Sequence, residues 1–507
     1  MGYIEGTGRG QNALWSLEDL IPEESMVRVI DRFIEIQDLA KLGFTRSAPA
    51  ETGRPAYPPK AMAKLYVYGY ENGLRSSRKL ERETRRNVEA MWLMDGLTPD
   101  HKTISEFRRQ NIRPLQKLFR EFVKLCRSWE LIGGDLFAVD GTKIKAGNNK
   151  KNNFSRKKLN DRLARLDEKI AEYLAAAEAE DSRESEKSGG APEGLQALLS
   201  RKELYESYLA QLDETGENEV SAVDPDARLM GNNRGGVDVA YNVQSSVDGE
   251  HDLIVDYHVS LNPSDQGQLG NMAKRLKGMG YRRFTVLADK GYYSGADLRK
   301  AKKYRIKAVV SRQGPPDPKE QPEEFHSKAF LYNDKEDVYT CPEGKTLYPH
   351  NKKAAKRRSF YNKTACSTCP HRDVCTKGGG PYRTVTRSQY SAIYAEADRV
   401  FEENKELYKR RQQIVEHPFG TVKHAMGGGY FLLRTRRKVR CEVALLFLGY
   451  DLKRALKIVG FQGLMDRLET LFQRFFIFLA ALRANFTAAE RFFAGQAPRG
   501  GLRDPVS

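Results

Sequence analysis

Twice in this chain a short apolar run closes on an aspartate. Phe137-Ala138-Val139 leads into Asp140, and Phe284 to Ala288 leads into Asp289. Apolar runs of that length, bounded by turn residues, predict buried β-strands. Between them, Val237 to Val247 and Leu253 to Val259 alternate around Asp248-Gly249, the pattern of a β-hairpin. Leu269, Met272, Ala273 and Leu276 then recur at helical spacing. A second short helix and a strand from Ile306 to Ser311 follow Asp289. The order strand, hairpin, helix, strand, helix, strand describes an α/β fold, a mixed sheet flanked by helices. Carboxylates at strand ends sit on rigid elements at a sheet edge, where ligands usually bind.

A chain of 507 residues is too long for one compact core. Residues 1–130 read as helical. Pro58-Pro59 opens a helix with Met62, Leu65, Tyr66 and Tyr70 on its apolar face, and Gly73 ends it. Ser76 or Ser77 caps the next helix, which carries Arg75, Arg78, Lys79, Arg82, Arg85 and Arg86 in or near its body. Thr103-x-x-Glu106 is a capping box. It opens a helix with Leu115, Leu118, Phe119, Phe122, Val123 and Cys126 on one face and a kink expected at Pro114. Short helices with basic outer faces suit a helix-turn-helix-like DNA reader, with Arg78, Arg82 and Arg85 as phosphate contacts. A helical oligomerisation module is the competing reading.

The catalytic core is expected over 131–154, 220–314 and 386–457. Residues 155–219 interrupt it with two apolar stripes, Leu159 to Leu174 and Leu195 to Leu212, joined by the polar linker DSRESEKSGGAPEG. That is a helical-hairpin insertion. Residues 315–385 form a second insertion, opening on GPPDPKEQPEE and holding four cysteines. A long helix from about Ala395 to Met426, kinked at Pro418, follows. Residues 458–507 form a helical extension with the disordered tail RGGLRDPVS.

The net charge of +18 points to a polyanionic partner. It is concentrated. From Cys341 to Tyr390, 11 Lys/Arg face only Glu343 and Asp373; from Asn404 to Lys457, 13 face four acids. The opening MGYIEGTGRG has no signal-peptide pattern. The most apolar stretch, Leu471 to Leu482, is short and interrupted by Arg474. A cytoplasmic protein, with no membrane partner, is expected.

Three segments carry the chemistry: FAVDGTKIKA, VLADKGYYSGADL and YKRRQQIVEHPFGTVKHAMGG. They resemble the catalytic segments of bacterial insertion-sequence transposases of the DDE type, which have a ribonuclease H-like core. In the branch containing the insertion-sequence four and five families, the last acid lies in a Tyr…Arg…Glu…Lys helix. Here those positions are Tyr408, Arg411, Glu416 and Lys423. Six residues separate Glu416 from Lys423, as in the family; four separate Arg411 from Glu416, where the pattern has three. RPAYPPKAMAKLYVYGYENGLRSSRKLE likewise resembles the helical N-terminal domain of these proteins. The resemblance implies that Asp140, Asp289 and Glu416 are catalytic and hold two Mg²⁺ (or Mn²⁺) ions. Such ions prefer oxygen ligands and, roughly 3.5–4 Å apart, clamp the attacking and leaving oxygens. It implies cleavage at the terminal inverted repeats of the transposon and attack of the freed 3′-hydroxyl on target DNA. Tyr408, Arg411 and Lys423 are then DNA contacts. A homodimer or larger homo-oligomer working at the bacterial nucleoid is expected, since two ends are handled together. His417 and His424 suit capping or DNA contact better than catalysis.

Cys341, Cys366, Cys369 and Cys375 suit one structural Zn²⁺, since four thiolates complete a tetrahedron and leave no open site. Reduced thiols are the alternative, and His371 could replace one ligand. Lys356 and Arg357 beside them are candidate DNA contacts. The competing functions are a ribonuclease H-like nuclease that cuts without joining, and a non-catalytic DNA-binding protein derived from a transposase.

Overall fold

The computed structural model describes residues 15–47, 55–181, 193–232, 235–312, 321–326, 329–350, 357–376 and 380–494. MGYIEGTGRG, linker residues 182–192, most of the Pro-rich stretch, Lys352, Lys353, Lys356 and the tail RGGLRDPVS lie outside them.

Seven helices lead: Met26–Glu35, Leu39–Leu42, Pro59–Glu71, Ser77–Arg86, Val88–Leu93, His101–Gln110 and Ile112–Ser128. Pro59–Glu71 has proline at its first position, where no N–H is needed. It is buried from Ala61 to Glu71, so its apolar face is in fact its whole surface. Even Lys64 is inside, held by Asp31 and Glu35. Thr103 does not open its helix. Asp100 does, accepting the N–H of Lys102 at 2.8 Å and of Thr103 at 2.9 Å. An aspartate three residues earlier serves the same orphan donors, so the helix starts there and Glu106 turns to Arg109 instead. The six apolar residues from Leu115 to Cys126 are buried on one face, as expected, but on a separate helix that begins after Asn111. Pro114 stands in that helix's first turn, where its missing N–H costs nothing.

Strand β1 (Leu136–Lys145) is followed by a ribbon of β2 (Asn153–Ser155) with β3 (Glu219–Ser221). The ribbon is the base of the expected hairpin, Arg156–Asp181 and Glu193–Thr215. This hairpin has a small core of its own, built on Phe154, Leu159, Leu166, Tyr205, Leu212 and Val220. The chain then supplies β4 (Arg228–Gly231), β5 (Val237–Asp248), β6 (Ile254–Ser260), β7 (Thr285–Ala288) and β8 (Lys307–Val310). In the main sheet the order is β4-β5-β1-β7-β8, with β6 also paired to β5. β1, β7 and β8 are parallel, and β5 runs antiparallel to β1, β4 and β6. From Val239 to Asp248 every residue of β5 is buried, so helices cover both faces of the sheet.

The 315–385 segment contains more than cysteine turns. A second sheet, in the order β13-β12-β11-β10-β9, is built from β9 (Leu331–Asn333), β10 (Val338–Thr340), β11 (Thr346–His350), β12 (Arg357–Tyr361) and β13 (Val385–Ser388). Phe330, Tyr339, Leu347, Phe360 and Val385 form its core. The single helix expected over 395–426 is three pieces: Ser391–Glu403, Lys405–Gly420 and a π-helical turn at Thr421–Ala425. Pro418 lies inside the second, and the π turn follows within one turn of it, where the proline removes a backbone donor. The last helical stretch, Arg436–Ala494, bends at Gly460, whose φ is 73°. It packs on Ile112–Ser128, Pro59–Glu71 and β6, joining the N-terminal helices to the sheet. Among the described residues no helix is long and apolar enough to cross a membrane.

Candidate active site

Asp140 does not end its strand. β1 continues to Lys145 because β5 pairs with it throughout, Asp140 facing Ser245. What ends there is the other neighbour: the last β1–β7 pair is Val139 with Ala288. Asp140 and Asp289 are the next residue on each of two adjacent parallel strands, which lie about 4.8 Å apart. Asp289 leaves β7 and caps a short 3₁₀ turn, accepting the N–H of Gly291 at 2.7 Å. Asp140 accepts the N–H of Gly141 at 2.8 Å.

Burial pushes the Asp140 carboxyl up to about 6, against the Gly141 N–H and the Arg411 guanidinium, which pull it down; Asp289 and Asp265 push it further up. Arg411 Nη1 stands 3.9 Å from Asp140 Oδ2. Burial lowers the Lys423 ammonium; Asp140 opposes that shift and Lys143 adds to it. The helix Lys405–Gly420 and its π turn thus bring two cations, Arg411 and Lys423, to Asp140. Glu416 lies between them in sequence, is exposed, and accepts a hydrogen bond from Gln412 at 2.8 Å. It shares the Lys423 face of the helix, seven residues away. Tyr408 packs edge-on against Phe401 and under Arg411. His417 bonds the Tyr450 hydroxyl at 2.8 Å, a structural partner.

The donor set suits a hard divalent cation, because the groups facing the Asp140–Asp289 edge are carboxylate oxygens. Glycines leave the room. A side chain on Gly291 would meet Asp289 Oδ1 at 2.9 Å; one on Gly141 would meet Asp265 Oδ1 at 2.6 Å and Gln244 closer still. Among the described residues no three His, Cys, Asp or Glu side chains stand in a preformed metal cluster, so Glu416 is not gathered to the aspartates.

Several residues at this edge escaped the sequence reading. Asp265 Oδ1 accepts N–H bonds from Asn242 and Gln244, both at 2.8 Å. Lys143 lies 3.6 Å from Asp265 Oδ2. Buried Tyr292 donates its hydroxyl to Gln244 Oε1. A signal existed: Asn242, Gln244 and Ser246 put polar groups at alternate positions of a central strand, where polar groups need partners.

Of the other expected site residues, Arg78, Arg82 and Arg85 are exposed on Ser77–Arg86, with Arg85 paired to Glu81 at 3.0 Å. Arg75 is not on that face. It is buried, donating to the Tyr430 carbonyl at 2.7 Å and to Glu442 at 3.3 Å. Arg357 is exposed at the start of β12; Lys356 lies outside the described residues. Cys341, Cys366, Cys369 and Cys375 line one small pocket with Phe330 and Leu347. The Lys345 N–H points at Cys341 Sγ at 3.3 Å. His371 stands 3.6 Å from Glu343 instead.

Residues 15–110 match the model of a transposase domain, DUF772, and residues 340–456 match that of a transposase DDE domain, which spans Tyr408, Arg411, Glu416 and Lys423. No curated protein matches the chain. Among solved structures, the cryo-EM structure of a piggyBac transposase synaptic complex with hairpin DNA aligns at 10% identity over 88% of this chain and 82% of that one; its TM-score of 0.23 is too low to carry a structural argument. With a transposase domain over its leading helices and a DDE domain over the segment that holds Glu416, the chain is a DDE-type transposase of an insertion sequence.

Proposed function

We propose that this transposase cuts transposon ends and joins them to target DNA at the edge where Asp140 and Asp289 stand side by side. That adjacency is the observation that carries the reading. The sheet order and the single antiparallel central strand fit a ribonuclease H-like core. Asp140, Asp289 and Glu416 would hold two Mg²⁺ or Mn²⁺ ions, which when bound activate the attacking oxygen and stabilise the leaving one. Glu416 reaches the aspartates by releasing Gln412 and swinging along its helix. Arg411 and Lys423 neutralise Asp140 before metal arrives and then face the DNA phosphates. Arg78, Arg82, Arg85 and Arg357 are exposed cations suited to the duplex on either side of the cut, and Tyr408 acts by holding Arg411. A homo-oligomer would hold two ends at once.

Zinc at the four cysteines is supported by their shared pocket and by the N–H donated to Cys341 sulfur, a turn geometry that suits a thiolate. Its role there is structural, since four thiolates leave no open position.

The test is a strand-transfer assay with paired terminal-repeat duplexes, target plasmid and Mg²⁺. Joined products are expected. Cleavage without joining would favour the nuclease reading, and binding without cleavage the non-catalytic one.

A further inference from the structure

Three carboxylates, not two, meet at the β1–β7 edge. Asp265 follows β6, in the turn before the helix Gln268–Gly278. Its Oδ1 is fully engaged by the amides of Asn242 and Gln244, each at 2.8 Å and each on a residue with no exposed surface. Gln244 is itself fixed by the buried Tyr292 hydroxyl. The carboxylate plane is therefore set by a rigid strand. Its other oxygen, Oδ2, has only Lys143 nearby, at 3.6 Å, beyond hydrogen-bond distance.

Two glycines explain how Asp265 comes so close. Gly141, directly after Asp140, has no side chain, and one placed there would strike Asp265 Oδ1 at 2.6 Å. Gly291, two residues after Asp289, has Asp289 Oδ1 at 2.9 Å and Asp265 Oδ2 at 3.6 Å from the point its Cβ would occupy. Asp265 Oδ2 and Asp289 Oδ1 thus face one small empty volume, kept open by the missing side chain. A carboxylate oriented by two amide donors, with its second oxygen directed beside another carboxylate, is preorganised for a hard cation.

We propose that Asp265 is a fourth carboxylate of the cleavage centre, offering Oδ2 beside Asp289 to a divalent metal ion. This rests on the metal reading of Asp140 and Asp289. It also gives Asn242, Gln244 and Tyr292 a function, as the frame that aims Asp265.

The experiment is Mn²⁺ binding to the full chain, read from the electron paramagnetic resonance signal of free Mn²⁺, with melting temperature recorded alongside. Asp265→Asn keeps an oxygen for the two amides and removes the charge. It should melt like wild type and bind Mn²⁺ at least about tenfold more weakly. Asp265→Glu, which returns the charge, should recover part of the affinity. Wild-type Mn²⁺ affinity in Asp265→Asn, beside weakened binding in Asp140→Asn and Asp289→Asn, would overturn the proposal and leave Asp265 a structural acceptor. Equal impairment in Asp265→Asn and Asp265→Glu would also overturn it, since charge would not be the cause. Unchanged affinity in Asp140→Asn and Asp289→Asn would instead sink the metal reading itself, and this proposal with it.

Discussion

Residue by residue, the site is a balance between burial and charge. Asp140 is half-buried beside two other carboxylates, and Arg411 and Lys423 only partly offset that. Replacing Asp140, Asp289 or Glu416 by alanine should lower strand cleavage by at least about 10²-fold, the scale of losing a dominant electrostatic element. DNA binding should be largely kept, because carboxylates do not attract phosphates. A near wild-type cleavage rate in any of the three would show that residue to be misassigned. His258 offers a separate test, away from the site. Burial, and then Arg275, Arg436 and Arg440, push its imidazole down to about 4; Asp256 is the one acid opposing them. The unfolded value is about 6.5. A group kept neutral by the fold favours it fully above the unfolded value, and that contribution is lost as pH falls from about 6.5 toward 4. His258→Asn should therefore lose less melting temperature than wild type between pH 7 and pH 5. Parallel losses would mean that His258 titrates normally.

At the level of elements, legibility followed how far each segment's fate is set by its own residues. The strands before Asp140 and Asp289, the hairpin around Asp248-Gly249 and the helix at Leu269 were readable, because a buried strand or helix writes its period into the sequence. The sheet β9–β13 was not readable. Its strands have three to five residues and half-exposed faces, so little periodicity develops. Asp265 was missed because a lone acid in a turn looks like any other; only the pairing of β5 with β1 brings it over Gly141. Arg75 was misplaced for a similar reason. Its partner Glu442 lies 367 residues away and also accepts the N–H groups of Leu432 and Leu433 at 3.0 and 2.7 Å. Glu442 is fully buried, so Glu442→Ala strands Arg75 and two amides without water. It should cost about 3–5 kcal/mol in denaturant unfolding, and Glu442→Gln clearly less. The cysteine segment makes its own prediction. Protein purified without added metal should carry one zinc per chain, and a chelator should speed amide exchange in β9–β13 while β1, β5 and β7 stay protected. Absence of zinc would leave four ordinary thiols.

Across the whole molecule, one continuous core runs from Ile21 through the sheet to Leu468. It takes in the leading helices, the main sheet and the last helix, so these should unfold together. The helical hairpin is not part of it. Its apolar side chains meet one another around Phe154 and Tyr205, in a separate cluster. Its two ends leave the body through the β2–β3 ribbon, where Ser155 is paired with Glu219. Paired residues at the end of an antiparallel ribbon can be joined by a two-residue turn. Replacing residues 156–218 by Asn-Gly should thus remove the hairpin without straining what holds it. The main calorimetric transition should keep its midpoint to within about 2–4 °C, the shift that about 1 kcal/mol produces in a domain of 150–250 residues. A collapse of that transition would mean that the hairpin supports the core through contacts that its own small cluster conceals. If the midpoint holds, cleavage and strand transfer by the shortened chain then report directly on whether the hairpin serves the DNA or a second copy of the protein, since stability would no longer confuse the comparison.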